Sequence, residues 1–155
     1  MIYLSLKFLH IVGAILFLGN IITGAFWKAH ADKTRDPKIM AHALDGIMKS
    51  DRIFTMPGVF MILLAGFGAA GVARLSFRAI WLAGGIVLFV LTAIVFMARV
   101  GPLQRQMRDL ARSSPDSASF DWPGYERLSR SWAVWGSMAV LLPLVAAGLM
   151  VFKPT

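Results

Sequence analysis

The sequence predicts an all-α protein, a four-helix transmembrane bundle with cytoplasmic helical extensions. Of its 155 residues, 57% are hydrophobic and only 15% are charged, and the mean hydropathy is +0.67. An α-helix needs about 20 apolar residues to cross ~30 Å of hydrocarbon. Four segments meet this requirement, at about residues 3–27, 53–72, 79–97 and 132–152. We therefore expect one integral membrane domain over residues 1–155, with no separate soluble domain.

The first cytoplasmic connection begins a helix before the second span. Asp36 is a good N-cap and Pro37 suits the first helical position, while Pro57 should kink the helix where it enters the membrane. Residues 113–116 should end an extension of the third span, and Asp121 should start the fourth helix. Apolar residues at helical spacing carry the two extensions: Met40, Leu44 and Ile47 in one, Leu103, Met107 and Leu110 in the other.

Aromatic residues follow the start of the fourth helix, and an aromatic belt at the membrane interface is the expected interpretation. They are Trp122, Tyr125, Trp132 and Trp135.

The distribution of charge predicts the orientation. Six of the 16 basic residues lie between the first and second spans and six between the third and fourth, which leaves four for the other end. By the positive-inside rule the two long loops are cytoplasmic and both termini lie outside. The net charge of +8 is therefore mostly topological, and anionic lipid is a more reasonable partner than nucleic acid. The basic loop residues are Lys28, Lys33, Arg35, Lys38, Lys49, Arg52, Arg99, Arg105, Arg108, Arg112, Arg127 and Arg130.

One face of the first span is predicted to point into the bundle. His10 lies on it, and an ionisable imidazole inside an apolar span is costly enough to indicate a partner or a function. The other positions are mostly Leu, Ile, Val and Phe, which suit lipid. The face recurs at steps of three and four positions, through Tyr3, Leu6, His10, Gly13, Phe17, Asn20, Gly24 and Trp27.

At a rise of ~1.5 Å per residue, His10 lies roughly 10 Å inside the outer end of its helix. The same level on the neighbouring helices contains glycines, including Gly66 and Gly85. Two interpretations are open. The helices pack closely and His10 bridges them by a hydrogen bond, or the missing side chains leave a flat cavity in which His10 ligates haem iron. In the second case Arg74 and Arg78 would meet the propionates.

Other ligand sets are weaker. Met61 and Met150 match the depth of His10 poorly as second haem ligands, and a copper-handling role would need one of them to move. The chain has no cysteine, and His30 and His42 are too loosely spaced for a zinc motif.

Two polar residues are secondary candidates. Asn20 should make an interhelical hydrogen bond, and Arg52 should pair locally with Asp51 or contact a headgroup. No carboxylate is expected inside the bilayer, which argues against an acidic proton relay. General acid and base pairs for hydrolysis are also missing.

Several segments resemble an uncharacterised family of predicted bacterial four-span membrane proteins, and the resemblance covers nearly the whole chain. The segments are residues 6–13, 51–59, 132–136 and 149–154. The first two are also similar to HemJ-type protoporphyrinogen oxidases, whose first-span histidine ligates haem, a role that maps here onto His10. Copper-resistance D-type proteins are more distantly similar in the first span. The HemJ-type lysine of the third span has no counterpart in residues 80–90, which argues against protoporphyrinogen oxidation itself.

The leading functional hypothesis is a bacterial inner-membrane protein that binds haem b through His10, for electron transfer or tetrapyrrole handling. The cofactor site would include Gly13, Gly66, Gly85, Arg74 and Arg78, and the protein would then be a haem-dependent oxidoreductase if it is an enzyme. The alternative is a cofactor-free structural or small-molecule-binding subunit, permease-like, in which His10 is an interhelical hydrogen-bonding residue. The small-residue faces also suit a homodimer.

Overall fold

A computed structural model describes residues 1–114 and 117–154. It contains four long helices and, among these residues, no strand, which confirms the all-α prediction. Each helix is long and apolar enough to cross a membrane. They are α1 (Ile2–Lys33), α2 (Pro37–Val72), α3 (Ile80–Ser113) and α4 (Trp122–Phe152).

The helix starts are capped as the sequence predicts. The Asp36 carboxylate accepts a hydrogen bond from the Lys38 backbone N–H at 2.8 Å, and Asp121 accepts one from the Gly124 N–H at 3.0 Å. Helix α3 ends at Ser113, at the start of the predicted break, whose residues 115 and 116 lie outside the described part. We call the end of the molecule with the α1–α2 and α3–α4 connections the basic end, and the opposite end the terminal end.

Two of the helices contain a π-helical turn. In α2 it covers Asp51–Thr55 and in α3 Phe96–Val100. Each turn ends two residues before a proline, Pro57 or Pro102. A proline ring clashes with the carbonyl four residues earlier and supplies no N–H to it, and a wider turn relieves both problems. A widened turn thus directly precedes Pro57, where the sequence predicts a kink.

The helices pack as two pairs that join at the basic end. Helix α1 lies along Met56–Val72 of α2, and Ile80–Val95 of α3 lies along α4. These α2 and α3 segments, both fully described, have no Cα pair within 8 Å of each other. The extensions Pro37–Ser50 and Gly101–Ser113 pack against one another and connect the pairs. The buried core lies mainly at this end, around Met40, Leu44, Val100, Met107, Tyr125 and Trp132.

The aromatic belt expected at the start of α4 is wrong for two of its four members. Tyr125 and Trp132 are only 2% and 8% exposed and belong to the core, whereas Trp122 and Trp135 are half-buried. The reason is tertiary. The first turns of α4 pack against the basic end of α1, where the Tyr125 hydroxyl donates a hydrogen bond to Asp32 at 2.7 Å.

The interior face of α1 follows the prediction until its last member. Gly13, Phe17 and Gly24 are buried, but Trp27 is 54% exposed and the adjacent Lys28 is only 4% exposed. An α-helix has 3.6 residues per turn, so the buried face advances from residue 24 to residue 28. A strict alternation of three and four steps drifts away from it.

Candidate functional site

A cleft of about 550 Å³ lies between the helices toward the basic end. We call it the basic-end cleft. Most of its walls are apolar, and its ionisable members are Lys28, Asp32 and Asp51. Its volume and its few convergent polar groups are typical of a small-molecule site. The polar lining is completed by Asn20, Gln104, Ser129 and Ser137, and the apolar lining includes Ile21, Ala25, Phe96, Val100, Trp132, Val140 and Leu141.

Asp51 lies in the π-helical turn of α2 and is 8% exposed. Its Oδ1 accepts hydrogen bonds from Asn20 Nδ2 of α1 at 3.0 Å and from Thr55 Oγ1 at 2.9 Å. Its Oδ2 accepts a longer bond, 3.4 Å, from Gln104 Nε2 of α3. Asn20 Nδ2 also donates to Thr55 Oγ1 at 2.9 Å. One carboxylate therefore connects three helices where the cleft begins.

No cation neutralises Asp51 within the described residues, because the ion pairs found there all involve other carboxylates. Arg52, its neighbour in sequence, is exposed on the surface. Arg52 was expected either to pair with Asp51 or to contact a lipid headgroup. The described residues show no ion pair between Arg52 and Asp51, and an exposed guanidinium suits a headgroup contact. A buried carboxylate without a counterion is costly to maintain, so its presence favours a functional role.

A second cluster of polar side chains in the lining surrounds Lys28. Its Nζ pairs with Asp32 Oδ2 at 2.6 Å and also donates to Ser129 Oγ of α4. The ammonium lies 5.4 Å from the Tyr125 ring centroid and 5.3 Å from that of Trp132. Lys28 is thus held by a carboxylate, a hydroxyl and two aromatic rings, an arrangement in which a buried ammonium is well compensated.

His10 lies toward the terminal end, away from the basic-end cleft. Its Nδ1 lies 2.9 Å from the Ile62 carbonyl oxygen of α2, and since a carbonyl only accepts, Nδ1 donates and carries the proton. A Cβ placed on Gly66 would lie 2.8 Å from the same Nδ1. The absence of a side chain at Gly66 therefore makes room for the imidazole itself. This is the interhelical hydrogen bond of the packing interpretation.

The glycines of α3 at this level are also filled from within the protein. A Cβ on Gly85 would lie 2.5 Å from Met150 Cε, and one on Gly84 would lie 3.0 Å from Leu149 Cδ1. The side chains of α4 occupy the space in which the flat cavity was expected. A haem beside Gly85 would require the flexible side chain of Met150 to move. Haem ligation by His10 stays a prediction.

The other residues predicted to contribute to a haem site are two arginines and a glycine. Arg74 and Arg78 lie exposed in the α2–α3 connection, and Gly13 packs against the backbone of α2, with Gly58 O 2.9 Å from a Cβ placed there. Over residues 1–114 and 117–154, no three His, Cys, Asp or Glu side chains form a metal-binding group. His30 and His42 are exposed, as expected of surface histidines.

The sequence profile described as "Predicted integral membrane protein (DUF2269)" matches residues 4–154. The chain belongs to this family. No curated protein and no solved structure matches the chain.

Six polar residues that line the basic-end cleft were not predicted from the sequence: Lys28, Asp32, Asp51, Gln104, Ser129 and Ser137. The burial of Lys28 could have been predicted from the sequence. With 3.6 residues per turn, the interior face of α1 passes from Gly24 to position 28, and Asp32 follows one turn later as a partner for the ammonium. Asp51 and Gln104 offered no such signal, since their burial depends on the packing of α1, α2 and α3. Asn20 was correctly expected to make an interhelical hydrogen bond.

Proposed function

We propose that this DUF2269 protein binds a small organic molecule in the basic-end cleft, as a solute-binding or permease-like membrane component. The observation that carries the proposal is the cleft itself, about 550 Å³ between the helices and lined by a buried carboxylate, Asp51, that forms no ion pair with any described residue. Both π-helical turns contribute to the lining, through Asp51 and through Phe96 and Val100. Such turns are frequent at functional sites.

The charge distribution supports an orientation for this site. The basic end would face the cytoplasm of a bacterium, with both termini outside, because basic residues favour the cytoplasmic side. The cleft would then lie in the cytoplasmic half of the inner membrane. Its ligand would arrive from, or leave toward, the cytoplasm, while exposed basic residues such as Arg52 would contact anionic lipid headgroups.

Filling the cleft tests the proposal. Gly136 lines the cleft, and a Cβ placed on it meets no atom within 4 Å, so Gly136→Phe adds a ring without a clash at Cβ. Gly148 lies on the same helix, has equally open space and is not a cleft residue, so Gly148→Phe is the matched control. The wild type and both variants would be placed in phosphatidylcholine nanodiscs. Isothermal titration calorimetry would then measure binding of 4-phenylbutylammonium, 4-phenylbutanol and 4-phenylbutyrate, with empty nanodiscs subtracted.

We expect at least one of the three probes to bind saturably to the wild type and to Gly148→Phe. Gly136→Phe should abolish that binding, because its ring occupies the cleft. Binding that is equal in the two glycine variants, or the absence of saturable binding for all three probes, would refute the proposal.

Haem b ligation by His10 is the second candidate function, and one contact favours it. Metal-ligating histidines usually donate their other ring N–H to a carbonyl or a carboxylate. His10 Nδ1 is held in this way by the Ile62 carbonyl, so the nitrogen left for a metal is Nε2. The similarity of the first two spans to HemJ-type proteins supports the same role, and electron transfer or tetrapyrrole handling would follow from it.

The two functions make different spectroscopic predictions. Detergent-purified protein reconstituted with haemin should show a Soret band that disappears in His10→Ala if His10 ligates the iron. If no band forms, or if the band survives the substitution, His10 serves helix packing alone. Metal analysis of the same preparation tests the copper-handling role, for which His10 supplies one ligand.

A further inference from the structure

We infer that the ligand of the basic-end cleft is an organic monocation, with an ammonium group at Asp51 and an apolar body along the cleft wall. The inference rests on the proposed function and specifies its ligand class.

The charge of the lining favours a cation. Of its three ionisable side chains one is an ammonium and two are carboxylates, so the formal charge is −1. Lys28 is already committed to Asp32, with its Nζ 2.6 Å from Oδ2. The uncompensated charge is therefore that of Asp51, and a carboxylate removed from water gains most from a cationic partner.

Asp51 retains the capacity to accept another hydrogen bond. Two of its bonds converge on Oδ1, at 2.9 and 3.0 Å, whereas Oδ2 has a single bond of 3.4 Å from Gln104. A carboxylate has about four lone-pair sites, so Oδ2 is the oxygen that an ammonium would bind.

The neighbouring amides leave further acceptors at the same place. Because a carboxylate only accepts, Asn20 and Gln104 both direct their amide nitrogens to Asp51. Their carbonyl oxygens accept no hydrogen bond from the described part of the chain. An ammonium carries three donors and no acceptor, which suits a carboxylate oxygen flanked by two amide carbonyls better than it suits an alcohol or a carboxylate ligand.

The walls indicate that the cation is organic. Away from Asp51 the lining is mostly aliphatic and aromatic, including Ile21, Phe96, Val100, Val140 and Leu141. A small hydrated metal ion would leave this surface unused, whereas an alkyl or aryl chain buries it favourably. The volume of about 550 Å³ is also within the range of clefts that bind small organic molecules.

The experiment uses the three probes above, which share an apolar body and differ in their charged group. Binding is measured in wild-type nanodiscs, and for the ammonium also in Asp51→Asn, which keeps the shape of the side chain and removes its charge. Asp109→Asn is the matched control, since it removes the same charge from an exposed carboxylate of α3. Circular dichroism and gel filtration establish that the variants fold.

We expect 4-phenylbutylammonium to bind at least about tenfold more tightly than the alcohol or the carboxylate. Asp51→Asn should weaken ammonium binding by about tenfold or more, with Asp109→Asn within about twofold of the wild type. The inference is overturned if the alcohol or the carboxylate binds as tightly as the ammonium, or if a folded Asp51→Asn binds the ammonium normally. Should Asp51→Asn not fold, the probe comparison on the wild type decides. If the alcohol or the carboxylate binds the wild type as tightly as the ammonium and loses that binding in Gly136→Phe, the proposed function stands and the cation inference is refuted.

Discussion

Replacing Gly13 with alanine tests the contact that holds α1 against α2. A Cβ placed on Gly13 would lie 2.9 Å from Gly58 O, 2.9 Å from Met61 Cβ and 3.0 Å from Ile62 N. All three atoms belong to the backbone or lie next to it, so rotation of a side chain cannot relieve the overlap. The two helices must separate, and the separation occurs one turn from His10.

The magnitude follows from two effects. Overpacking of a close contact costs about 1–3 kcal/mol. Separation also lengthens the bond from His10 Nδ1 to Ile62 O, now 2.9 Å, and such interhelical bonds contribute ~0.6–1.7 kcal/mol in membrane proteins. Gly19→Ala is the control, because a Cβ on Gly19 meets nothing within 4 Å. Both variants share the gain in helix propensity from Gly to Ala, up to about 1 kcal/mol, so their difference should be about 2–4 kcal/mol.

The assay is reversible unfolding in mixed micelles, with the denaturing detergent fraction increased stepwise and helix content followed by circular dichroism. Gly13→Ala should have the lower free energy of unfolding. If it is as stable as Gly19→Ala, the close approach of α1 and α2 is not the contact that we describe, and the geometry of His10 and Ile62 loses its support.

Two further substitutions are measured in the same assay. Lys28→Met leaves Asp32 without its cation, so we expect the free energy of unfolding to fall by about 3 kcal/mol. Lys49 is exposed, and its control variant Lys49→Met should stay within about 0.5 kcal/mol of the wild type. Equal stability of the two variants would show that Lys28 is not held by Asp32. Asp36→Ala removes the N-cap of α2 and should lower the free energy of unfolding by about 1 kcal/mol. Asp36→Ser should restore part of that loss. If Asp36→Ala is as stable as the wild type, the cap does not stabilise the protein.

The helices and their caps could be predicted from the sequence because their causes are local. Asp36 followed by Pro37 starts α2, and Asp121 starts α4, through hydrogen bonds that span two or three residues. The apolar spans are equally local, since length and composition determine whether a helix can cross the bilayer. These features therefore agree between sequence and structure.

The polar lining of the cleft could not be predicted in the same way, because its burial is tertiary. Asp51 comes two residues before the apolar segment that begins at Ile53, so composition places it outside the span. It is buried because Asn20 of α1 and Gln104 of α3 close over it. The position of Lys28 could have been predicted. A helical period of 3.6 residues places it on the interior face of α1, and only its charge argued against burial.

The two π-helical turns connect a feature of the sequence, a following proline, with residues that line the cleft. Pro57 and Pro102 each follow a turn that ends two residues earlier, and the same clash with a preceding carbonyl explains both. The turns bring Asp51 to one side of the cleft and Phe96 and Val100 to another. Both turns lie beside the same space and precede a proline at the same offset. The carboxylate and part of the apolar wall that would bind the cation therefore come from the same kind of helical irregularity.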